Sequence, residues 1–356
     1  MPDASSVELS RRILLGAAPA AFTLALAGCG TPQLTPAELV QALQARLDAF
    51  DEPGLRALFY DQPGTQALAT RFFVNLTGAQ ATPTRRLGLD PDGRLQVEWA
   101  FPSEPTVVSV ATMALILGKI ANLVPASTGT EWLDDPLVQR AEPHLVVSAA
   151  DNVGLTRWWQ AAETALAALA KVTPPGRNWT APLVLLAPAD LTQFARYAGD
   201  SADRTAAVTV VPGTAASHSI RVVVNPRPLQ PGQNDPATIA HEAVHAFMAS
   251  PRLTRAPRWL LEGIAEQLTA QAFPAVASQN RRLAKARQPG GAPQSLPEVD
   301  GGDETAYALA QLAVLAMVEQ VGWQAVFDEV EARQQGSVVI ADARVLGWYH
   351  AVLARL

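Results

Sequence analysis

The sequence has little cysteine, little histidine and little charge. Its 356 residues contain one cysteine, Cys29, and five histidines, which excludes a disulfide within the chain. Charged residues make up 17% of the chain against 49% hydrophobic residues, and the net charge is -6. This composition is typical of a folded protein large enough for two domains. Phosphate binding needs clustered Lys and Arg, which the chain lacks, so no nucleic-acid partner is predicted.

Long hydrophobic runs are also scarce. Residues 107–118 form an apolar run of about twelve residues, below the roughly twenty that span a bilayer, and we predict a core segment there. Residues 13–27 form a second apolar run, which follows Arg11 and Arg12 and includes Pro19. A basic start, a short apolar stretch and small residues at its end are typical of a cleaved export signal, so residues 1–28 are predicted to be a signal peptide.

The single cysteine stands at the end of that predicted signal, in the sequence Leu26-Ala27-Gly28-Cys29. This stretch resembles the lipobox of bacterial lipoproteins, which implies that Cys29 is lipidated and anchors the protein on the extracytoplasmic face of the cell membrane. The alternative is an ordinary buried cysteine in a signal helix. The stretch SRRILLG also resembles a twin-arginine signal, but Leu14 and Gly16 depart from that motif, so the export route stays open.

The remaining chain predicts an α+β fold in two domains after a tether at residues 29–34. Residues 35–150 are predicted to form helices first and strands after. The first of these helices is capped by Thr35 and Glu38 and ends near residue 50. This part resembles small curved-sheet domains of the nuclear-transport-factor-2-like type. Residues 151–356 predict a helix at 154–172, strands at 183–187, 207–211 and 220–225, and a mostly helical region after Pro257.

Two of the five histidines lie four residues apart in the stretch IAHEAVHAF. We predict a helix that begins at Asp235, on which His241 and His245 project from one face. Neutral imidazoles in this arrangement bind one metal ion, and Glu242 beside them is placed to take a proton from a water. The alternative is structural: two buried histidines that hydrogen-bond the backbone while Glu242 pairs with an arginine.

A third protein ligand is available on the next predicted helix, in the stretch WLLEGIAE. Glu262 lies seventeen residues after His245, and two successive helices joined by a loop bring such a carboxylate to the metal. Glu266 is the second choice for this ligand, although a role in orienting a ligating histidine fits it better. The predicted cofactor is therefore Zn²⁺.

The pair HEAVH and WLLEGIAE resembles the gluzincin branch of zinc metallopeptidases, in particular the peptidase MA-like domains, over about residues 155–335. The resemblance implies a zincin-like domain with a mixed sheet, zinc ligands at His241, His245 and Glu262, and Glu242 as the catalytic base. It also suggests Tyr307 as the group that stabilises the oxyanion, with His218 and His350 as rivals. The Gly-x-Met-Glu-Asn element of aminopeptidase relatives is absent, which favours an endopeptidase.

Two functions follow from these patterns. The first is a membrane-anchored zinc peptidase that acts on peptides or proteins, with a strand at 221–225 either pairing with the substrate or lying inside the sheet. The second is a zinc-site lipoprotein that serves as a non-catalytic binding or structural module of the cell envelope. The sequence indicates neither the substrate nor the oligomeric state.

Overall fold

The computed structural model describes residues 33–78, 84–101, 104–135, 138–179, 181–198, 205–213, 217–227, 235–287, 293–299 and 303–356. The predicted signal peptide and Cys29 lie outside these ranges. The described chain is a mixed α+β protein with two sheets.

The α-helices of the described residues are α1 (Pro36–Asp48), α2 (Glu52–Arg56), α3 (Pro63–Thr77), α4 (Asn152–Ala170), α5 (Leu191–Ala198), α6 (Asp235–Met248), α7 (Arg258–Ala272), α8 (Pro274–Arg287), α9 (Glu304–Gln334) and α10 (Asp342–Leu353). The strands are β1 (Thr84–Leu89), β2 (Leu95–Ala100), β3 (Val107–Ile116), β4 (Lys119–Pro125), β5 (Val138–Glu142), β6 (Leu145–Ala149), β7 (Leu183–Ala187), β8 (Ala207–Val210) and β9 (Arg221–Val224).

The first sheet is a four-stranded antiparallel meander in the order β1-β2-β3-β4. Helices α1 to α3 precede it, as the sequence predicts, and the Thr35 side chain and Glu38 form the predicted capping box at the start of α1. Apolar side chains of these helices and strands form one core. Its largest fully buried members include Phe59, Phe72 and Trp132.

The apolar run at residues 107–118 is not a core segment throughout. It forms β3 and the turn into β4, and its first half alternates between buried and half-buried residues as far as Ala111. From Thr112 onward the residues of β3 are exposed or half-buried. The prediction was wrong for this second half, because burial depends on what packs against a strand and not on its composition alone.

The second sheet has the order β5-β6-β7-β9-β8, with parallel pairs in its centre and an antiparallel strand at each edge. Both faces of its central strands are buried. Successive residues of a strand point to opposite faces. Val146 and Val184 belong to the core that α1 to α3 and the first sheet form, whereas Leu145 and Leu185 belong to a second core with α4, α6 and the later helices. The sheet begins at Val138, ahead of the predicted domain boundary at residue 150, and residues 34–356 make one compact unit.

The helices α7 to α10 follow α6, in the region that the sequence predicts to be helical. Helix α9 packs against α7, α8 and α10, and its backbone is interrupted at Gly322. By length and composition α9 is apolar enough to cross a bilayer, but half of its most apolar window is buried in the protein. A core helix passes the same test, so this is weak evidence for a membrane span.

Candidate metal centre

Helix α6 places the two motif histidines one turn apart, as the sequence predicts. The helix begins at Asp235 and packs against α4, α7 and the strands β8 and β9. The side chain of His245 is buried and that of His241 is half-buried. Their Nε2 atoms lie 3.1 Å apart, so both imidazoles direct a nitrogen to the same place.

Glu262, on α7, completes the group. Its Oε2 atom lies 3.2 Å from His241 Nε2 and 3.0 Å from His245 Nε2. A triangle with such sides has a circumradius of about 1.8 Å, so a point about 1 Å above its plane lies roughly 2 Å from all three atoms, which is the zinc–ligand distance. Two imidazole nitrogens and one carboxylate oxygen are also a donor set that catalytic zinc uses. The residues therefore fit the metal that the sequence predicts.

Close packing of two helices brings this carboxylate into place. Gly263 follows Glu262 and lies directly against α9, where a Cβ atom would be 2.4 Å from the Ala310 carbonyl oxygen and 2.6 Å from Val314 Cγ2. Any side chain at this position would push α7 and α9 apart. The same close approach brings the start of α9, with Tyr307, beside the histidines.

Glu266 contacts the other side of His241. Its Oε1 atom lies 3.2 Å from His241 Nδ1, and Asn280 Nδ2 on α8 donates to its Oε2 at 3.0 Å. With its proton on Nδ1, facing this carboxylate, a neutral His241 has the lone pair of Nε2 available for a metal ion held together with Glu262 and His245. The structure thus places Glu262 among the three converging donor atoms and Glu266 behind His241, and the sequence analysis likewise preferred Glu262 to Glu266 as the third candidate ligand.

The charges of this group explain the proton affinities of its members. Burial opposes a charge on His241, but the carboxylates of Glu262 and Glu266 outweigh it and raise the pKa of the imidazole well above its ordinary value. Burial likewise works against ionisation of Glu262, and the hydrogen bonds from His241 and His245 lower its pKa far below the usual range. The site therefore attracts positive charge, whether a proton or a metal ion.

Glu242 lies beside the histidines and is held by the sheet. The Thr209 hydroxyl on β8 donates to Glu242 Oε2 at 2.7 Å and lies 3.0 Å from the Glu242 carbonyl oxygen. Burial raises the pKa of Glu242, and the neighbouring histidines and Thr209 only partly offset this. A carboxylate with a raised pKa is better suited to accept and release a proton near neutral pH.

Tyr307 lies in the first turn of α9, close to the ligand group. Its ring centroid is 6.1 Å from that of His241. Burial, and next the charge of Glu262, raise the pKa of Tyr307 to about 12, so the phenol keeps its proton at neutral pH. Arg258 interacts with this phenol and donates from Nε to Glu262 Oε1 at 3.3 Å.

The two rival histidines lie elsewhere. His350 Nε2 is 2.7 Å from the Pro293 carbonyl oxygen, and His218 pairs with Gly213 in an isolated bridge. Neither belongs to the group of converging donor atoms around His241. The strand predicted at 220–225 is β9, and it lies inside the sheet between β7 and β8, so the edge strand beside α6 is β8.

Sequence reasoning missed three residues that hold the site together, namely Thr209, Arg258 and Asn280. Arg258 had a local signal, because it precedes Glu262 by four residues on one helix face. Thr209 and Asn280 had none, since their contacts join segments that are 33 and 14 residues apart in the chain.

Comparison with known proteins adds no relative: no protein-family model matches the chain, and no curated protein matches its sequence.

Proposed function

We propose that this protein is a zinc-dependent peptidase of the gluzincin type, with a zincin-like domain in which His241, His245 and Glu262 hold the metal. The observation that supports this most directly is the convergence of three donor atoms within 3.0 to 3.2 Å of one another. Three donor atoms at these distances are the arrangement that a shared divalent cation requires of its ligands.

The metal, when bound, supplies a Lewis acid that polarises a carbonyl and lowers the pKa of a water molecule to about 7. The chain supplies the proton transfers. Glu242 takes the proton of the attacking water and delivers it to the leaving amine as the peptide bond breaks. Thr209 holds Oε2 of that carboxylate, which leaves Oε1 for the water.

Tyr307 is the proposed donor to the oxygen that becomes negative as water adds to the scissile carbonyl. Its phenol stays protonated at neutral pH. Arg258 contacts both this phenol and the carboxylate of Glu262, so Tyr307 and Glu262 lie on the same side of the site. A fixed donor at this place stabilises developing charge more than the neutral ground state.

The proposed substrate is an extended peptide or protein segment. Strand β8 is the edge of the second sheet next to α6, and Thr209 of β8 contacts the catalytic glutamate. An extended chain that pairs with this edge uses main-chain hydrogen bonds, which do not depend on the substrate's side chains. Together with the missing aminopeptidase element, this favours cleavage within chains over cleavage at a free N-terminus.

The proposed location is the extracytoplasmic face of a bacterial cell membrane, with Cys29 as the lipid attachment. The support is the sequence LAGC at the end of a predicted export signal. A lipidated cysteine with two acyl chains gives stable attachment, whereas one chain gives only marginal binding.

The test is the variant Glu242→Gln, assayed on a broad peptide library with and without a chelator. We expect cleavage to fall by about 10²- to 10⁴-fold, because the proton acceptor is lost while the metal ligands remain. Zinc content, measured by atomic emission, should stay near that of the wild type. Glu298→Gln, at an exposed position in the segment before α9, serves as the control and should cleave normally.

Two results would decide against this function. Cleavage by Glu242→Gln at the wild-type rate would exclude Glu242 as the base. A wild-type protein that binds zinc but cleaves no member of the library would favour the alternative, a zinc-site lipoprotein with a binding or structural role.

A further inference from the structure

The tip of the β3–β4 hairpin, residues 114–119, presents an unusual apolar surface. Ala114, Leu115, Ile116 and Leu117 follow one another and are all exposed. The exposed fractions of the three large residues rise toward the turn, at 37%, 45% and 70%. Single exposed aliphatic residues are common on proteins, but a consecutive exposed run at the end of a hairpin is typical of a contact surface.

The turn itself is formed at the expense of local stability. Ile116 pairs with Lys119, so Leu117 and Gly118 are the two central residues of the hairpin turn. Their φ angles are 51° and 73°, in the left-handed region that a type I′ turn requires at both positions. Asn-Gly is the preferred pair, whereas a leucine with positive φ is strained. Neither folding nor solubility explains a leucine here.

The shape and chemistry of the tip fit a lipid surface. It is the end of a hairpin with exposed aliphatic side chains, and the exposed Lys119 next to them carries a positive charge that matches lipid phosphates. Protein interfaces are instead enriched in aromatic residues and arginine around an apolar centre.

The length of the predicted tether brings a bilayer within reach. Cys29 and the first residue of α1, Pro36, are seven residues apart, which at full extension is at most about 25 Å. Helix α1 packs on β1 of the sheet that carries the hairpin. A lipid attached at Cys29 therefore keeps this half of the protein close to the membrane surface.

We propose that residues 114–117 insert into the outer leaflet of the membrane to which Cys29 is attached, with Lys119 at the level of the headgroups. The inference rests on the proposed lipid attachment. The tip provides a second contact point beside the acyl chains, and two points restrict how the protein is oriented on the membrane. A few aliphatic residues bind a bilayer weakly alone, but attachment at Cys29 supplies a high local concentration.

The test places a polarity-sensitive fluorophore at the tip of the full chain. Leu117→Cys is purified from bacterial membranes, labelled, and reconstituted in vesicles whose lipids carry a nitroxide on the acyl chain. The control is Val339→Cys, because Val339 is equally exposed, at 69%, but lies in the loop before α10. We expect quenching of the label at residue 117 by about twofold and almost none at residue 339, since inserted side chains reach the acyl boundary.

Two measurements separate failure of the tip from failure of the lipid anchor. The first is the reaction of the wild-type protein with the same thiol-reactive fluorophore. If the wild type becomes labelled, its Cys29 thiol is free and the proposed lipid attachment is wrong. Residues 33–356 with an N-terminal histidine tag, bound to nickel-chelating lipids, then test the tip without Cys29. An unquenched label at residue 117 on these vesicles would overturn the proposal. Self-association through the tip would also overturn it, since the occupant would be a second copy.

A second variant tests whether Leu117 serves the fold instead. Leu117→Asn introduces the residue that the turn prefers, so thermal stability should stay the same or increase. Quenching of a label at Ile116→Cys should fall by about twofold in the same background, because the inserted apolar area is smaller. A loss of stability with unchanged quenching would show that the leucine acts in folding and would contradict the proposal.

Discussion

Among the described residues, the cluster around Arg221 and the candidate metal centre both hold two or more carboxylates, and they differ in the group that balances the negative charge. In the first, Arg221 of β9 is fully buried between Glu104 and Glu131, at N···O distances of 2.6 and 2.9 Å, and its guanidinium lies over the rings of Trp99 and Phe101. The two carboxylates hold the pKa of Arg221 above its ordinary value in spite of burial. This cluster contains its own cation.

The second cluster, the candidate metal centre, has no buried guanidinium among its described residues. Glu242, Glu262 and Glu266 surround two imidazoles, and the arginine that contacts the group, Arg258, has a side chain that is 55% exposed. The donor atoms converge on a point rather than on a guanidinium. The comparison teaches that buried carboxylates paired with a guanidinium complete the fold, whereas carboxylates beside imidazoles attract a cation, which is a proton on His241 when no metal is bound.

The largest expected effect comes from removing the internal cation. Arg221→Met should lower the free energy of unfolding by about 3–5 kcal/mol, because Glu104 and Glu131 would stay buried without their partner. Urea unfolding measures the change. Adding Glu104→Gln and Glu131→Gln should recover part of the loss. A loss below about 1 kcal/mol would mean that the two clusters do not differ in this way.

Removing the zinc ion that we propose for the second cluster should lower the free energy of unfolding by a similar amount. Zinc at about 1,000 times its Kd should raise the free energy of unfolding by about 4 kcal/mol over the chelated protein, because only the folded state brings the ligands together. Thermal denaturation with zinc and with chelator measures it. Glu262→Gln should lose most of this increment, and Arg221→Met should keep it. An equal increment in Glu262→Gln would exclude that residue as a ligand.

Replacing the carboxylate that lies behind His241 should have a smaller effect, measured as a loss of zinc affinity. Glu266→Gln should reduce zinc affinity by about 10- to 100-fold, since the carboxylate orients His241 from behind and increases its basicity. Competition with a chromophoric chelator gives the affinity. Glu298→Gln is again the exposed control and should bind zinc as the wild type does. Unchanged affinity in Glu266→Gln would show that the contact with His241 Nδ1 is incidental.

The smallest effect is a pH dependence in the first cluster. Burial raises the pKa of Glu131 above its ordinary value of 4.5, although Arg221 opposes the shift. The folded protein then holds this proton more tightly than the unfolded chain. The resulting stability is fully present below pH 4.5 and is lost as the pH rises through the raised pKa.

The slope for one proton is at most about 1.4 kcal/mol per pH unit. Unfolding in urea at several pH values, with chelator throughout, should show this slope in the wild type and not in Glu131→Gln. Stability that rises with pH by the same amount in both proteins would contradict the assignment to Glu131.

Much of the local structure was predictable from residue patterns. The capping box at Thr35 and Glu38, the helix that begins at Asp235 and the strand at 183–187 are confirmed, because caps and periodicity act within a few residues of the chain. The apolar run at 107–118 shows the limit. Its composition is that of a core strand, yet its second half is exposed or half-buried, because burial depends on which elements pack against a strand.

For the candidate site, the sequence alone determined that His241 and His245 share one helix face, because the helix repeat sets the direction of residues four apart. Only the tertiary structure decided that Glu262 meets them, that Glu266 stands behind His241, and that Thr209 holds Glu242. These contacts join different elements, and their geometry depends on how closely α6, α7, α9 and β8 pack. Gly263 permits that packing at one point, and the rest follows from burial of both faces of the second sheet.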